Sequence, residues 1–167
     1  LREIIDTTIT SISISFVASL TIMFLSFLMV VVATYKSNTF QKSVSFLASC
    51  GYAFPGTILA VGIVVFVGWL NELFYFQISY FVGGFLVLIF AYTLRFLAIG
   101  NGSIRSGVTR INPNLIDASK TMGRSFLTTI KKVILPLTYT YILVGGILVF
   151  VDILKELPIT LLLRPFN

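Results

Sequence analysis

The feature that most constrains this chain is its succession of long stretches without a charged residue. Residues 7–35, 43–71 and 73–94 contain no Asp, Glu, Lys or Arg. At about 1.5 Å per helical residue each is long enough to cross about 30 Å of hydrocarbon. In lipid every backbone donor and acceptor must be satisfied internally, so such runs fold as helices. With 57% hydrophobic and 11% charged residues among 167, the chain has too little polar surface for a soluble domain of its size. An all-α, polytopic membrane fold is expected. One domain covers 1–167, with spans at residues 12–34, 46–70, 74–94 and 136–154 and a cytoplasmic loop at 95–135.

Local residues modulate these helices. Ser13, Ser15, Ser19 and Ser26 can bond backbone carbonyls or neighbouring helices. Pro55-Gly56 removes a backbone donor and clashes with the preceding turn, which predicts a kink or break in the second span. Gly83-Gly84 and Gly145-Gly146 allow close helix approach in the third and fourth spans.

Orientation follows from the basic residues. Arg95, Arg105, Arg110, Lys120, Arg124, Lys131 and Lys132, against the single acid Asp117, account for the net charge of +6. Short cytoplasmic loops concentrate Lys and Arg, so this loop lies inside, as does the first, with Lys36 and Lys42. The segment around Glu72 then faces out, and so does Leu1. A lipid bilayer, not nucleic acid, is the expected contact of these charges. Leu1 follows no initiator Met or basic n-region, so no signal peptide is expected and the chain reads as part of a longer protein.

Enzyme chemistry is poorly provided for. Cys50 is the only cysteine and there is no histidine, so a disulfide, a Cys/His metal cluster and a histidine acid/base are all excluded within the chain. No G-x-x-x-x-G-K-[ST] occurs, which assigns any ATP-driven work to another subunit. Neither cofactor nor resident metal is expected, and Cys50 reads as an inert buried thiol.

The basic loop has internal structure. Asn112-Pro113 is a strong helix opening, with Asn as cap and Pro at the first position. Gly123 is a stop, because glycine adopts a left-handed conformation cheaply. Between them Leu115, Ala118 and Met122 fall on one small apolar face suited to a partner's groove. Ser125 can cap a second helix whose Phe126, Ile130, Val133 and Leu137 share a side. This second helix reads as an interfacial arm, with Pro136 marking a turn into the membrane.

The sequence DASKTMGRSFLTTIKKVILP from Asp117 to Pro136 resembles the cytoplasmic loop of binding-protein-dependent ABC importer permeases, whose pattern is Glu-Ala-Ala, three residues, Gly, nine residues, then Ile-x-Leu-Pro. Asp117, Ala118 and Ser119 stand for the triplet, Gly123 is in register, and Val133, Leu135 and Pro136 close the pattern. Asp and Ser depart mildly from Glu and Ala. GYAFPGTILAVGI from Gly51 and LKELPITLLLRPFN from Leu154 are similar to segments of ferric iron permeases of that superfamily.

This resemblance implies a type I importer transmembrane fold, here partial, with about four spans and cytoplasmic coupling helices. It implies a second transmembrane half, cytoplasmic ATPase subunits, an external substrate-binding protein and a bacterial inner-membrane location. Leu115, Asp117, Ala118, Ser119, Met122, Gly123, Arg124, Leu135 and Pro136 become candidates for docking and coupling, with ferric iron as cargo. Such permeases continue with a returning helix beyond the position of Asn167.

A translocation pathway has its own candidates. Asp152, Lys155 and Glu156 fall at i, i+3 and i+4, on one helical face with net charge −1, which suits a cation's passage. The alternative is a self-paired cluster reaching the outer interface. By the resemblance, the Lys-Glu-Leu-Pro turn lies where related importers place a gate. Tyr52, Phe54 and Pro55 at the broken helix either line the pathway or pack. Tight ferric coordination is not expected, because hard iron takes several oxygen donors and the carboxylates are scattered. The competing readings are a permease for thiamine, polyamine or sulfate, and a structural or channel protein whose loop anchors lipid.

Overall fold

A computed structural model describes residues 2–35, 46, 48, 50–74 and 84–163. Leu1, Lys36, Lys42, Gly83 and residues 164–167 lie outside the described residues, and with them the expected positions of the first loop, of the Gly83 contact and of the end of the iron-permease-like segment.

Helix α1, Arg2–Tyr35, carries hydroxyls without interruption because they bond its own backbone. Thr7 donates to the Glu3 carbonyl (2.8 Å), Ser11 to Thr7 (2.9 Å), Ser15 to Ser11 (2.8 Å) and Thr21 to Val17 (2.9 Å). Each bond hides a polar group that hydrocarbon would otherwise penalise. The second apolar run is broken as expected. A 3₁₀ turn at Gly51–Ala53 leads to an extended Phe54 (φ −83°, ψ 136°), since proline drives the residue before it out of the helical region. Helix α2, Gly56–Phe74, follows.

Helix α3, Phe85–Val108, continues well past Leu94, where the charge pattern ends the third span. Arg95 does not stop it, because its charge is neutralised within the fold by Glu156. Helix α4, Pro113–Thr121, comes next. Helix α5, Phe126–Thr129, a π turn, Ile130–Ile134, and helix α6, Leu135–Leu154, then form one uninterrupted helical path from Phe126 to Leu154. Short helix α7, Leu157–Leu163, ends the described chain.

The expected turn at Pro136 is therefore absent. Proline lacks the N–H that would reach the Lys132 carbonyl, and its ring crowds that turn. The helix absorbs the defect by widening just before it, where the Leu135 N–H reaches back to the Ile130 carbonyl, a five-residue step that defines a π turn.

Among the described residues three helices are long and apolar enough to cross a membrane: Arg2–Thr34, Phe85–Val108 and Phe126–Leu154. The apolar part of α2, Gly56–Leu70, is shorter, because the break at Pro55 divides the run that the sequence treats as one span. The three long helices pack together through small residues. Gly145 is held against Ser103 and Met23, Gly100 against Ser26 and Ile22, and Gly107 against the Tyr141 ring, each with no room for a Cβ. The Ser19 hydroxyl donates to the Gly146 carbonyl (2.9 Å) and that of Ser103 to the Tyr141 carbonyl (2.8 Å). Helices α1 and α3 run parallel and α6 antiparallel, so that the beginnings of α1 and α3 meet the end of α6 around one cavity. The outward faces, with Phe16, Leu20, Phe24, Val65, Trp69, Ile147 and Leu148, are apolar and exposed, as hydrocarbon or neighbouring helices require.

Candidate functional site: a capped helix and a cavity

The docking candidates gather on α4. Asn112 caps this helix by accepting from the Asn114 N–H (3.0 Å), with Pro113 at its start. The other end closes on Gly123, whose φ of +72° is costly for any residue with a Cβ. The Gly123 N–H donates to the Lys120 carbonyl (2.9 Å) and the Arg124 N–H to the Ser119 carbonyl (3.2 Å). Together these two bonds are a complete Schellman closure, which satisfies the final carbonyls and reverses the chain.

The closure sorts the side chains of α4. Ser119 turns inward, buried, and shares a 2.7 Å hydrogen bond with buried Thr129 of α5. That bond ties α4 to α5. Leu115 (49% exposed), Ala118 and Met122 (72% exposed) face away from the rest of the chain. Asp117 lies mid-helix, exposed, and pairs with Lys120 at 3.2 Å, a surface pair of little energetic weight. Ser125 caps α5 by accepting from the Thr128 N–H (3.4 Å). Leu135 and Pro136 are exposed on the helical path beyond the π turn.

At the far end of that path is a cavity of about 760 Å³. Its wall includes Asp6, Thr10, Ser11 and Ser15 of α1, Tyr92 of α3, and Glu156 and Thr160 at the junction of α6 and α7. The Thr160 hydroxyl donates to the Glu156 carbonyl and shares a 2.7 Å bond with the Tyr92 hydroxyl, so the tyrosine braces α7 against α3. Among the described residues no three Cys, His, Asp or Glu side chains come together as a metal centre.

Glu156 dominates this region. It is 9% exposed and its Oε2 lies 3.2 Å from Arg95 Nε. Arg95 Nη1 also donates to the Phe54 carbonyl (2.9 Å). The break within the second apolar run, before α2, and the break after α6 thus converge on one guanidinium. Gly56 completes the junction, because a Cβ there would collide with Glu156 Oε1 and crowd Arg95. Arg95 lies about 15 Å along α3 from its start, at 1.5 Å per residue, and a charge within so apolar a helix needs a partner.

The pathway candidates therefore separate. Helix α6 ends at Leu154, so Asp152, Lys155 and Glu156 do not share one helical face. Asp152 pairs with Lys155 at 3.8 Å, both partly or largely exposed, whereas Glu156 turns to Arg95. The cause is the helix break at Lys155 and Glu156, before Leu157-Pro158, which takes Glu156 off the helical register. The Tyr52 ring packs against Phe96 (6.5 Å between centroids) and lies outside the cavity wall, while Phe54 contributes its carbonyl and Pro55 its turn. Arg95, Tyr92 and Thr160 were missed from sequence. An arginine beside an apolar run looks like a loop boundary until its partner is known, and the signal that could have found it was Glu156, an acid that the neighbouring Asp152–Lys155 pair leaves without a counter-charge.

Comparison with known proteins agrees with this architecture. Residues 22–164 match the family of the binding-protein-dependent transport system inner membrane component. The Fe(3+)-transport system permease protein FbpB 2 of Haemophilus influenzae is 26% identical over 113 residues, which are 67% of this chain and 21% of that protein. The chain spans about a fifth of the length of this curated relative. A helical chain with several membrane-crossing helices, no ATPase motif and a match over most of its length belongs to the inner-membrane permease family of binding-protein-dependent ABC importers.

Proposed function

We propose that this chain is part of a permease that couples an ATPase to uptake of ferric iron. Residues Leu115, Ala118 and Met122 dock in a groove of the ATPase, Asp117 and Arg124 flank that contact, and Gly123 and Ser119 hold the docking helix at a fixed angle. Leu135 and Pro136 lie on the path that carries its displacement to the outer cavity. A second transmembrane half completes the pathway, and an external binding protein delivers the cargo. One observation carries this reading: an exposed apolar helix is locked by a Schellman closure and a buried hydroxyl pair onto a helix that ends, without interruption, at a cavity holding a buried carboxylate.

Iron as cargo draws support from the relative's printed description and from a cavity whose polar lining is oxygen only, which suits a hard cation. The test is uptake of radiolabelled ferric iron by the intact importer in proteoliposomes with its ATPase and binding protein. ATP-dependent accumulation, unaffected by excess thiamine, polyamine or sulfate, is expected; competition by one of these, without iron accumulation, would reassign the cargo.

A further inference from the structure

We infer that α2 and α7 move together as one lid, hung from a single stretch of α3 and able to close against α1 over the cavity. Such a motion belongs to the chain whatever its cargo.

The helices pack in two groups. Among the described residues α1, α3 and α6 pack on one another as a bundle, whereas α2 and α7 pack on each other and meet that bundle chiefly at α3. Ala60 and Ile63 of α2 and Ile159 and Leu163 of α7 are buried. Two short helices joined through buried side chains travel as a body, since close packing transmits displacement. Only Lys155 and Glu156 connect the end of α6 to the start of α7.

The attachments of this pair to α3 fall at one height. The Tyr92 hydroxyl bonds that of Thr160 in α7 (2.7 Å), and Arg95 holds both Glu156 before α7 (3.2 Å) and the Phe54 carbonyl before α2 (2.9 Å). Tyr52 packs on Phe96 (6.5 Å between centroids), and Gly51 lies so near the Leu94 carbonyl that no Cβ fits between them. The second carboxylate oxygen of Glu156 is enclosed beside Gly56, which sets the carboxylate where α2, α7 and α3 meet. Tyr92, Leu94, Arg95 and Phe96 cover about one and a half turns of helix. A pair of helices fastened over so short a length can rotate about it, as on a hinge.

The cavity provides the room. Its volume of about 760 Å³ lies between α1 and α7, with Thr7, Thr10, Ser11 and Ile14 on one wall and Leu157 and Leu161 on the other. These leucines are 66% and 65% exposed and share a face of α7, four residues apart. The hydroxyls of the opposite wall already donate to their own helix, Thr7 to the Glu3 carbonyl, Thr10 to that of Asp6 and Ser11 to that of Thr7. Leucine can therefore cover that wall without stranding a donor, and closure replaces open wall with side-chain packing. Rotation about Tyr92–Phe96 brings the two walls together.

Distances between spin labels on the intact permease in nanodiscs read this motion, in a Cys50→Ser background that removes the native thiol. Labels at Ile9→Cys on α1 and Leu162→Cys on α7 should give two distances, whose populations differ with and without bound ATPase subunits. Labels at Val65→Cys on α2 and Leu162→Cys should give one distance under both conditions. Ser11→Phe places a ring in the cavity as a prop, so the shorter α1-to-α7 component should be lost while the melting temperature holds; Leu161→Trp makes the same test from the opposite wall. A single α1-to-α7 distance under both conditions, or a shorter component that survives both bulky substitutions, overturns the lid. An α2-to-α7 distance that splits overturns its movement as one body. Arg95→Met with Glu156→Met removes both charges and leaves neither unpaired. The distance from Phe90→Cys on α3 to Leu162→Cys, single in the parent, should then broaden; should that variant not assemble, Tyr92→Phe deletes only the bond to Thr160, and the same direction is expected. A distance unmoved by these substitutions overturns the hinge.

Discussion

Arg95 and Gly56 show how much of this molecule depends on single positions. Arg95 is 18% exposed and Glu156 9%, so removing either leaves an uncompensated buried charge, a loss of about 3–5 kcal/mol for pairs of this kind. Arg95→Ala should lower the detergent melting temperature sharply, and the exchange Arg95→Glu with Glu156→Arg should recover part of it; equal loss in single and double variants would show that the pair is incidental. Gly56 makes a finer test. A Cβ there meets Glu156 Oε1 and the Arg95 guanidinium, whereas a Cβ at Gly62, two turns on in the same helix, meets nothing within 4 Å. Gly56→Ala should destabilise by about 1–3 kcal/mol, as overpacking does, and Gly62→Ala should be neutral or stabilising by up to about 1 kcal/mol through helix propensity. Thermal unfolding of the two variants side by side separates the steric cause from glycine loss in general. The sequence placed Pro55-Gly56 at a helix break from backbone chemistry alone. It could not place Arg95 opposite that break, because the pairing joins residues 61 positions apart (95 and 156) and only the packing of α3 beside α7 brings them together.

At the level of elements, local signals were the legible ones. The cap at Asn112, the stop at Gly123 and the apolar face of α4 depend on residues within one or two turns, and each is present in the structure. The junction at Pro136 was misread for the same reason. Proline favours a turn locally, but packing of Ile134 and Thr138 in the interior favours a continuous helix, and the π turn reconciles the two. Two substitutions probe these devices separately. Nothing lies within 4 Å of a Cβ at Gly123, so any effect there comes from backbone conformation: Gly123→Val should cost about 1–2 kcal/mol at the closure and depress uptake, while Gly123→Asn, which tolerates the left-handed region, should retain most of it. Equal damage from both would point to the side chain's surroundings instead. Pro136→Ala restores the donor facing the Lys132 carbonyl and removes the reason for the wide turn. Thermal stability should hold or rise, by at most the roughly 3 kcal/mol that an interior proline costs, while ATP-driven uptake falls because the arm is re-aimed relative to α6. Unaltered uptake would show that the π turn has no part in coupling.

On the scale of the whole molecule, the two candidate regions sit at opposite ends of one continuous helical path. From Phe126 to Leu154 the helix is 29 residues, about 43 Å at 1.5 Å each, and it packs against α1 and α3 at positions where glycine leaves no slack. In the proposed coupling, a displacement applied at α4 would reach Glu156 by moving α6 as a body, since close-packed interiors transmit strain and do not absorb it. Such a lever works only if its handle is free for a partner, and the exposed Leu115 and Met122 meet that condition without contributing to the chain's own core. The substitution Leu115→Asp with Met122→Asp should leave membrane insertion and the melting temperature of the isolated permease within experimental error, as surface changes do. The same pair should abolish co-purification with the ATPase, because a docking groove cannot solvate two carboxylates. Retained co-purification would show that the ATPase contact lies elsewhere on the chain. A melting temperature that falls together with ATPase contact would show instead that Leu115 and Met122 support the fold of the chain itself.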